Sequence, residues 1–188
     1  MSTAETQVTR GVETWAVDPT HSHVEFTVKH MMITTVKGRF GGVGGVVRTN
    51  ESDAGAWAID IEIDTASVDT GAEQRDAHLR SADFFDVASH PRLTFRGGPV
   101  RAAFSEPGDQ FALAGELTIR GTTRDVELVV TYDGRGPDPW GGERMSFSAS
   151  TTIDRRDFGL TWNQGLEAGG VLVGTDIRVN LDVQLVRE

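Results

Sequence analysis

Three residues at alternating positions, His21, His23 and Glu25, are the first place in this sequence where chemistry could be carried out. On a strand, residues i, i+2 and i+4 share a face, and two imidazoles with a carboxylate are an ordinary ligand set for zinc. The competing reading is structural: His21 ends a turn begun at Asp18-Pro19 and caps backbone groups, while His23 faces solvent. His78 and His90 lie too far off in sequence to give recognisable ligand spacing. His30 is different, because it shares an apolar face with Phe26 and Val28. There it is either a hydrogen-bond donor to a bound head group or a satisfied histidine at a strand end. Other signatures fail. Gly41, Gly42, Gly44 and Gly45 do not sit between a buried strand and a helix, so no dinucleotide loop is formed. Asp157-Phe158-Gly159 lacks the partner motifs of a kinase, and there is no Gly-x-Ser-x-Gly elbow.

Strands must position these groups. Val24, Phe26 and Val28 alternate with His23, Glu25, Thr27 and Lys29, the mark of a half-buried strand. Trp57, Ile59, Ile61 and Ile63 repeat the pattern, as do Leu93 with Phe95, and Met145, Phe147 and Ile153. Phe111, Leu113, Leu117 and Ile119 lead through Arg120-Gly121-Thr122 to Val126, Leu128, Val130 and Tyr132, which reads as a hairpin. The last segment, 171–186, is the longest, and at about 3.3 Å per residue it would extend about 50 Å. It must bend, or the barrel it belongs to must be elongated. Counting the glycine-rich segment 38–48 as a strand and 134–142 as an exposed loop gives about eight strands. Eight is a number at which a closed barrel can hold one small ligand.

Residues 68–95 break the β pattern with a short polar helix signal, then Phe84-Phe85, then His90 and Pro91. Thr70 and Glu73 have the spacing of a capping box, and Asp76 with Arg80 that of an i,i+4 pair. So short a helix is marginal alone in water and must dock through Ala72, Leu79, Ala82, Phe84 and Phe85. A cap over a barrel mouth satisfies this. Composition narrows the rest: 188 residues make one domain over 13–188 after a polar tail of 1–12. A net charge of −10, with two lysines against sixteen arginines, argues against nucleic acid and against anionic lipid surfaces as partners. Without cysteine there is no disulfide and no thiolate metal site. The opening MSTAETQVTRGVETW has no basic n-region or apolar run, and no segment is long enough to span a bilayer. A cytoplasmic location without stable membrane insertion is expected.

Three segments together resemble the YceI-like family of bacterial, lipocalin-like, polyisoprenoid-binding proteins. They are Asp18, His21, Ser22, Phe26 and His30; then Ser67, Asp69, Thr70, Arg75, Asp76, Leu79, Phe84, Phe85, Pro91 and Phe95; then GELTIRGT at 115–122, followed by Arg156, Asp157, Phe158 and Gly159. The resemblance implies an all-β fold with a minor helix: an extended eight-stranded antiparallel lipocalin-like β-barrel with a short capping helix. It also implies an apolar tunnel for polyisoprenoids, isoprenoid quinones or similar amphiphiles.

The expected function is non-catalytic binding, carriage or sensing of such a molecule, with no cofactor beyond the bound isoprenoid or other lipid. A metal-dependent barrel enzyme using His21, His23 and Glu25 is the alternative. Expected ligand-binding residues are Phe26, Val28, His30, Phe40, Ile61, Phe95, Leu117, Phe147 and Trp162, with Leu79, Phe84 and Phe85 closing one end. At about 0.8 kcal/mol per buried CH₂, a five-carbon unit contributes on the order of 3–4 kcal/mol. A handful of units therefore outweighs association costs of ~4–15 kcal/mol. Few cations lie near the motifs, chiefly Lys29, Lys37, Arg39, Arg155 and Arg156, so a neutral head group is expected over a polyprenyl phosphate. Oligomeric state is left open, a homodimer included.

Overall fold

In the computed structural model, residues 11–50, 56–100, 103–167 and 169–188 are described. Most of the expected tail, 1–10, lies outside them, and Val12 already begins the first strand. The strands are β1 (Val12–Val17), β2 (His23–His30), β3 (Thr34–Phe40), β4 (Val43–Asn50), β5 (Ala58–Asp64) and β6 (Val68–Asp69). After helix α1 (Glu73–Arg80) come β7 (Arg92–Gly97), β8 (Gln110–Ile119), β9 (Thr122–Pro137), β10 (Glu143–Asp154) and β11 (Val173–Arg187). All pairings are antiparallel, and the ring β1-β4-β5-β7-β8-β9-β10-β11 closes through β1 with β11. Eight strands thus make the closed barrel.

The other three strands explain why the barrel is tall. β11 pairs with β1 near its C-terminal end, through Leu185 to Arg187, and with β2 along Val173 to Asp182. β4 pairs with β1 and β5, while β3 pairs with β2 and β6. β1/β2, β3/β4 and β5/β6 are therefore three long strands, each broken once, stacked as two storeys beside one unbroken β11. Both expectations for the last segment are met: the barrel is elongated, and β11 has a register shift between Val173 and Ile177. The glycine-rich segment is not one strand but two, because the chain turns at Gly41-Gly42 between β3 and β4. The exposed loop is also shorter than its composition suggests. β9 runs on to Pro137 through a bulge of its own: Ser146 faces Gly134 (φ 140°) and Phe147 faces Tyr132, so Asp133 is the extra residue.

Inward residues of the ring form one core that includes Trp15, Val43, Phe95, Phe111, Leu128, Met145 and Leu185. Phe95 shows how strand glycines serve it. A Cβ on Gly115 would lie 2.5 Å from the Phe95 ring and 2.6 Å from the Arg96 carbonyl oxygen, so the ring lies flat over bare backbone. Arg120 (φ 49°) and Gly121 (φ 73°) make the expected tight turn between β8 and β9, the left-handed pair that matches strand twist.

Candidate ligand-binding site

α1 follows β6, the last strand of the extended sheet, and is fastened by polar groups. Its N-cap is Ala72, with no side-chain cap, so the expected capping box does not form. Instead the buried Asp76 carboxylate accepts from the Thr70 amide at 2.9 Å and the Thr70 hydroxyl at 2.5 Å. Thr70 in turn accepts from Arg75 Nε at 2.7 Å. Nor does Arg80 pair with Asp76. It donates to the carbonyls of Ala66 and Val68 at 2.9 and 2.6 Å, tying the helix end to the β6 region. A free carbonyl edge competes better than an i,i+4 carboxylate that is buried and already taken by Thr70.

Beneath this cap lie two apolar compartments in line along β2. The upper, ≈ 270 Å³, is the mouth, lined by Phe26, Val28, His30, Leu79, Phe84 and Trp162 together with Val36, Leu172, Val173, Lys29, Thr70, Gln74, Arg75 and His78. The lower, ≈ 140 Å³, lies inside the closed ring, with Val24 of β2 on its wall. Twenty-one residues line it, and only Trp57 and Thr151 carry a polar side-chain atom. The Thr151 hydroxyl is already donated to the Glu127 carbonyl at 2.9 Å. Among the described residues no titratable group lines this interior.

Ten of the twelve expected ligand-binding residues line one compartment or the other. Phe26, Val28, His30, Leu79, Phe84 and Trp162 are at the mouth; Ile61, Phe95, Leu117 and Phe147 are in the interior. Phe40 and Phe85 line neither. Phe85 meets Phe40 edge-on at 5.5 Å, and Phe40 is 5.6 Å from Phe26, so this pair fastens the cap and backs the boundary between compartments. Phe84 faces inward between His78 (5.1 Å) and Trp162 (5.4 Å). The Phe-Phe pair thus divides its labour: Phe85 anchors and Phe84 lines. Of the other expected docking residues, Ala82 is exposed.

Phe26, the next inward residue on β2 after Val24, marks where the mouth gives way to the interior. It pairs across strands with Gly38, and a Cβ there would lie 2.3 Å from Phe26 Cζ. Only glycine leaves the ring that position. Sequence reasoning missed Trp57, Phe104 and Tyr132, which form an aromatic floor with Phe111 and Phe147. Phe104 stacks on Phe111 at 5.0 Å and meets Trp57 at 5.4 Å, and Tyr132 is 5.5 Å from Phe147. Phe104 sits in a segment without alternation, so no periodic signal marks it. Trp57 and Tyr132 do alternate, and their bulk was the available clue.

The metal reading finds no support in the geometry. His21 Nδ1 is 2.8 Å from Asp18 and His23 Nε2 is 3.1 Å from Asp182, so each imidazole is engaged by a carboxylate outside the expected triad. Glu25 lies across from Arg39 and Asn180. Among the described residues no group of three or more His, Asp or Glu side chains could hold a metal ion. His21 belongs instead to a lock at the far end of the barrel, where Arg144 Nη1 binds Asp18 at 2.6 Å and Gln184 at 2.8 Å. The Arg144 guanidinium, then His21, hold the Asp18 carboxyl well below its ordinary 3.8. A depressed carboxyl stabilises the fold fully above the unfolded value and loses that contribution as pH falls through the folded value. The stability gap between the native chain and Arg144→Met, read by denaturant unfolding, should be complete at about pH 6 and shrink as pH drops below about 4. A gap unchanged down to about pH 2 would show that the lock acts by packing alone.

A tall, closed antiparallel barrel with an apolar interior and a docked cap over its mouth defines a lipocalin-like barrel protein. The chain belongs to the YceI-like family, whose YceI-like domain matches residues 15–185. It is 37% identical over 145 residues to a UPF0312 protein of Pectobacterium atrosepticum, spanning 77% of this chain and 73% of that one. Protein YceI of Salmonella newport is 37% identical over 145 residues, spanning 77% and 74%. Among solved structures, Burkholderia cenocepacia BcnA superposes with a TM-score of 0.73 at 23% identity, covering 89% of this chain and 98% of that one. A polyisoprenoid-binding domain from Saccharophagus degradans gives 0.70 at 16% identity, covering 93% and 98%. Among the described residues no helix is long and apolar enough to cross a membrane.

Proposed function

We propose that this chain binds an isoprenoid without transforming it, with the tail in the barrel interior and a neutral head at the mouth, and that it carries or senses that molecule. The observation that supports this is the interior compartment: twenty-one lining residues and no group that could donate a proton, attack a carbon or hold a metal. A cavity of about 150 Å³ lined by apolar side chains stays dry and takes a benzene-sized guest. The interior of ≈ 140 Å³ therefore suits about one prenyl unit, and the mouth of ≈ 270 Å³ takes more. A tail longer than this passes Phe26, whose rotation joins the two spaces. The polyisoprenoid-binding relative from Saccharophagus degradans agrees with this choice of ligand.

Spent cations support a neutral head. Arg39 pairs with Asp69 at 3.1 Å, Arg156 with Asp154 at 2.5 Å, and Arg155 is buried and bonded to carbonyls. The Arg156 guanidinium holds the Asp154 carboxyl down to about 2. Lys29 and Arg75 line the mouth and keep their charge, each donating to a neutral hydroxyl, of Thr35 and Thr70. His30 faces the mouth with no side-chain partner among the described residues and is placed to bond a quinone carbonyl or an alcohol. Lipid extracted from the purified protein and identified by mass spectrometry should be a prenyl quinone or unphosphorylated prenol in near-stoichiometric amount. Recovery of phosphorylated prenols alone would overturn the neutral head, and no retained apolar molecule after incubation with prenol-containing vesicles would overturn the function.

A further inference from the structure

The hairpin joining β2 to β3 presents what a soluble surface ordinarily hides. Met32 is 64% exposed and Ile33 79% exposed, with Met31 beside them. The turn is closed by the Ile33 amide donating to the His30 carbonyl at 3.1 Å. Met31 (φ 50°) and Met32 (φ 61°) both occupy the left-handed region, where a two-residue turn selects asparagine and glycine. Unbranched apolar side chains at these positions are unfavourable for the backbone and useless to the core. The tip is continuous with a second apolar loop: the Met31 amide donates to the Leu172 carbonyl at 2.8 Å, and the exposed Val171 precedes it. Both loops edge the mouth, because His30, Leu172 and Val173 line it.

Charge says what this rim meets. The chain's only lysines, Lys29 and Lys37, flank the tip, and residues 27–38 contain no Asp or Glu. Register places Lys29 opposite Thr35 and Lys37 opposite Thr27, both on the outer face of the hairpin. The paired strand β11 adds Asp176 beside Ile177, which pairs with Val28, and Arg178 opposite Thr27, while the second loop adds Glu167 and α1 adds Glu73 and Arg75. The surroundings are thus slightly positive in a protein of net charge −10. Charges farther away than about 8 Å are largely screened at physiological ionic strength, so the hairpin and not the whole molecule decides the approach. Apolar tips flanked by lysines insert into the headgroup layer of an anionic bilayer.

We propose that the 30–34 hairpin and the loop before β11 form a docking face for an anionic lipid surface, so that the mouth opens onto the bilayer holding its ligand. This rests on the proposed isoprenoid binding, and the test separates the two. The full chain should sediment with phosphatidylcholine vesicles containing phosphatidylglycerol, and bind at least ten-fold more weakly to phosphatidylcholine alone or in high salt. Met32→Asp with Ile33→Asp should lower binding to the anionic vesicles at least ten-fold, and Lys37→Gln by a smaller factor. In every variant the melting temperature and the lipid already bound should be unchanged. Equal sedimentation of the native chain and the tip variant would overturn the docking face. So would a concentration-dependent dimer, seen by analytical ultracentrifugation and abolished by the tip variant, with no vesicle binding. Retained prenyl lipid with no vesicle binding sinks this inference alone, whereas vesicle binding without any retained lipid sinks the ligand assignment alone.

Discussion

Phe26→Asp should empty the protein of lipid. The ring sits where the mouth meets the interior, over the bare backbone of Gly38 and against Phe40. Replacing it with a carboxylate removes an apolar contact of about 1.5–3 kcal/mol and puts a charge in the path of the tail. Since 1.4 kcal/mol is ten-fold in affinity, the retained load should fall by about ten- to a hundred-fold from the first effect alone. Its pKa would be raised by burial against Phe40 and the tail, so the neutral acid forms more readily as pH falls. Part of the load should therefore return at mildly acidic pH. Phe26→Ala is the control: it loses the same ring contact without adding charge, so it should share this fall but keep clearly more lipid than Phe26→Asp. Mass spectrometry of extracted lipid reads both variants. An unchanged load in Phe26→Asp would show that the tail does not pass this point.

Phe26 also shows what could be read from residue order and what could not. Alternation in 22–30 sets Phe26 inward because strand side chains repeat every two residues, and the same rule places Ile61, Phe95, Leu117 and Phe147. Alternation carries no information on height along the barrel. Phe26 and Phe147, both inward, therefore proved to lie in different compartments, and Phe40 in neither. Long-range partners were equally hidden. The Thr70 and Glu73 spacing suggested a local cap, but Thr70 bonds Asp76, which the helix turns inward. The histidines at 21 and 23 looked like ligands because their carboxylates came from elsewhere: Asp18 across a turn and Asp182 on the neighbouring β11. The family resemblance rested on motif order and carried the overall barrel, whose strand breaks at Gly41-Gly42 and 18–22 only the pairing of two storeys reveals.

Arg155 is the residue whose loss should cost the fold most for a single side chain. It is 3% exposed and has no carboxylate partner among the described residues; its guanidinium is satisfied by four main-chain carbonyls. Nε donates to Gly174 at 2.8 Å, Nη1 to Leu160 and to Trp162 at 2.9 Å, and Nη2 to Val173 at 3.3 Å. Burial pulls its pKa down from the usual arginine value, with Asp154 opposing, and the group stays charged because arginine does not deprotonate in proteins. One planar fork thereby draws the chain after β10 onto the start of β11, which is how Trp162 reaches the mouth. Arg155→Ala leaves these carbonyls without a donor; at about 1–3 kcal/mol for each one that water does not reach, a loss of about 3–5 kcal/mol is expected. For a domain of this size that is a fall in Tm of about 6–20 °C at roughly 2–4 °C per kcal/mol. Arg155→Lys should rescue little, since one ammonium cannot span four acceptors in a plane. The change should also be felt at the mouth: Trp162 packs on His78 at 4.6 Å and Phe84 at 5.4 Å, so its emission should shift to the red before the barrel melts. A Tm within about 2 °C of the native chain would mean that the loop is held by its apolar contacts and that the four bonds are incidental.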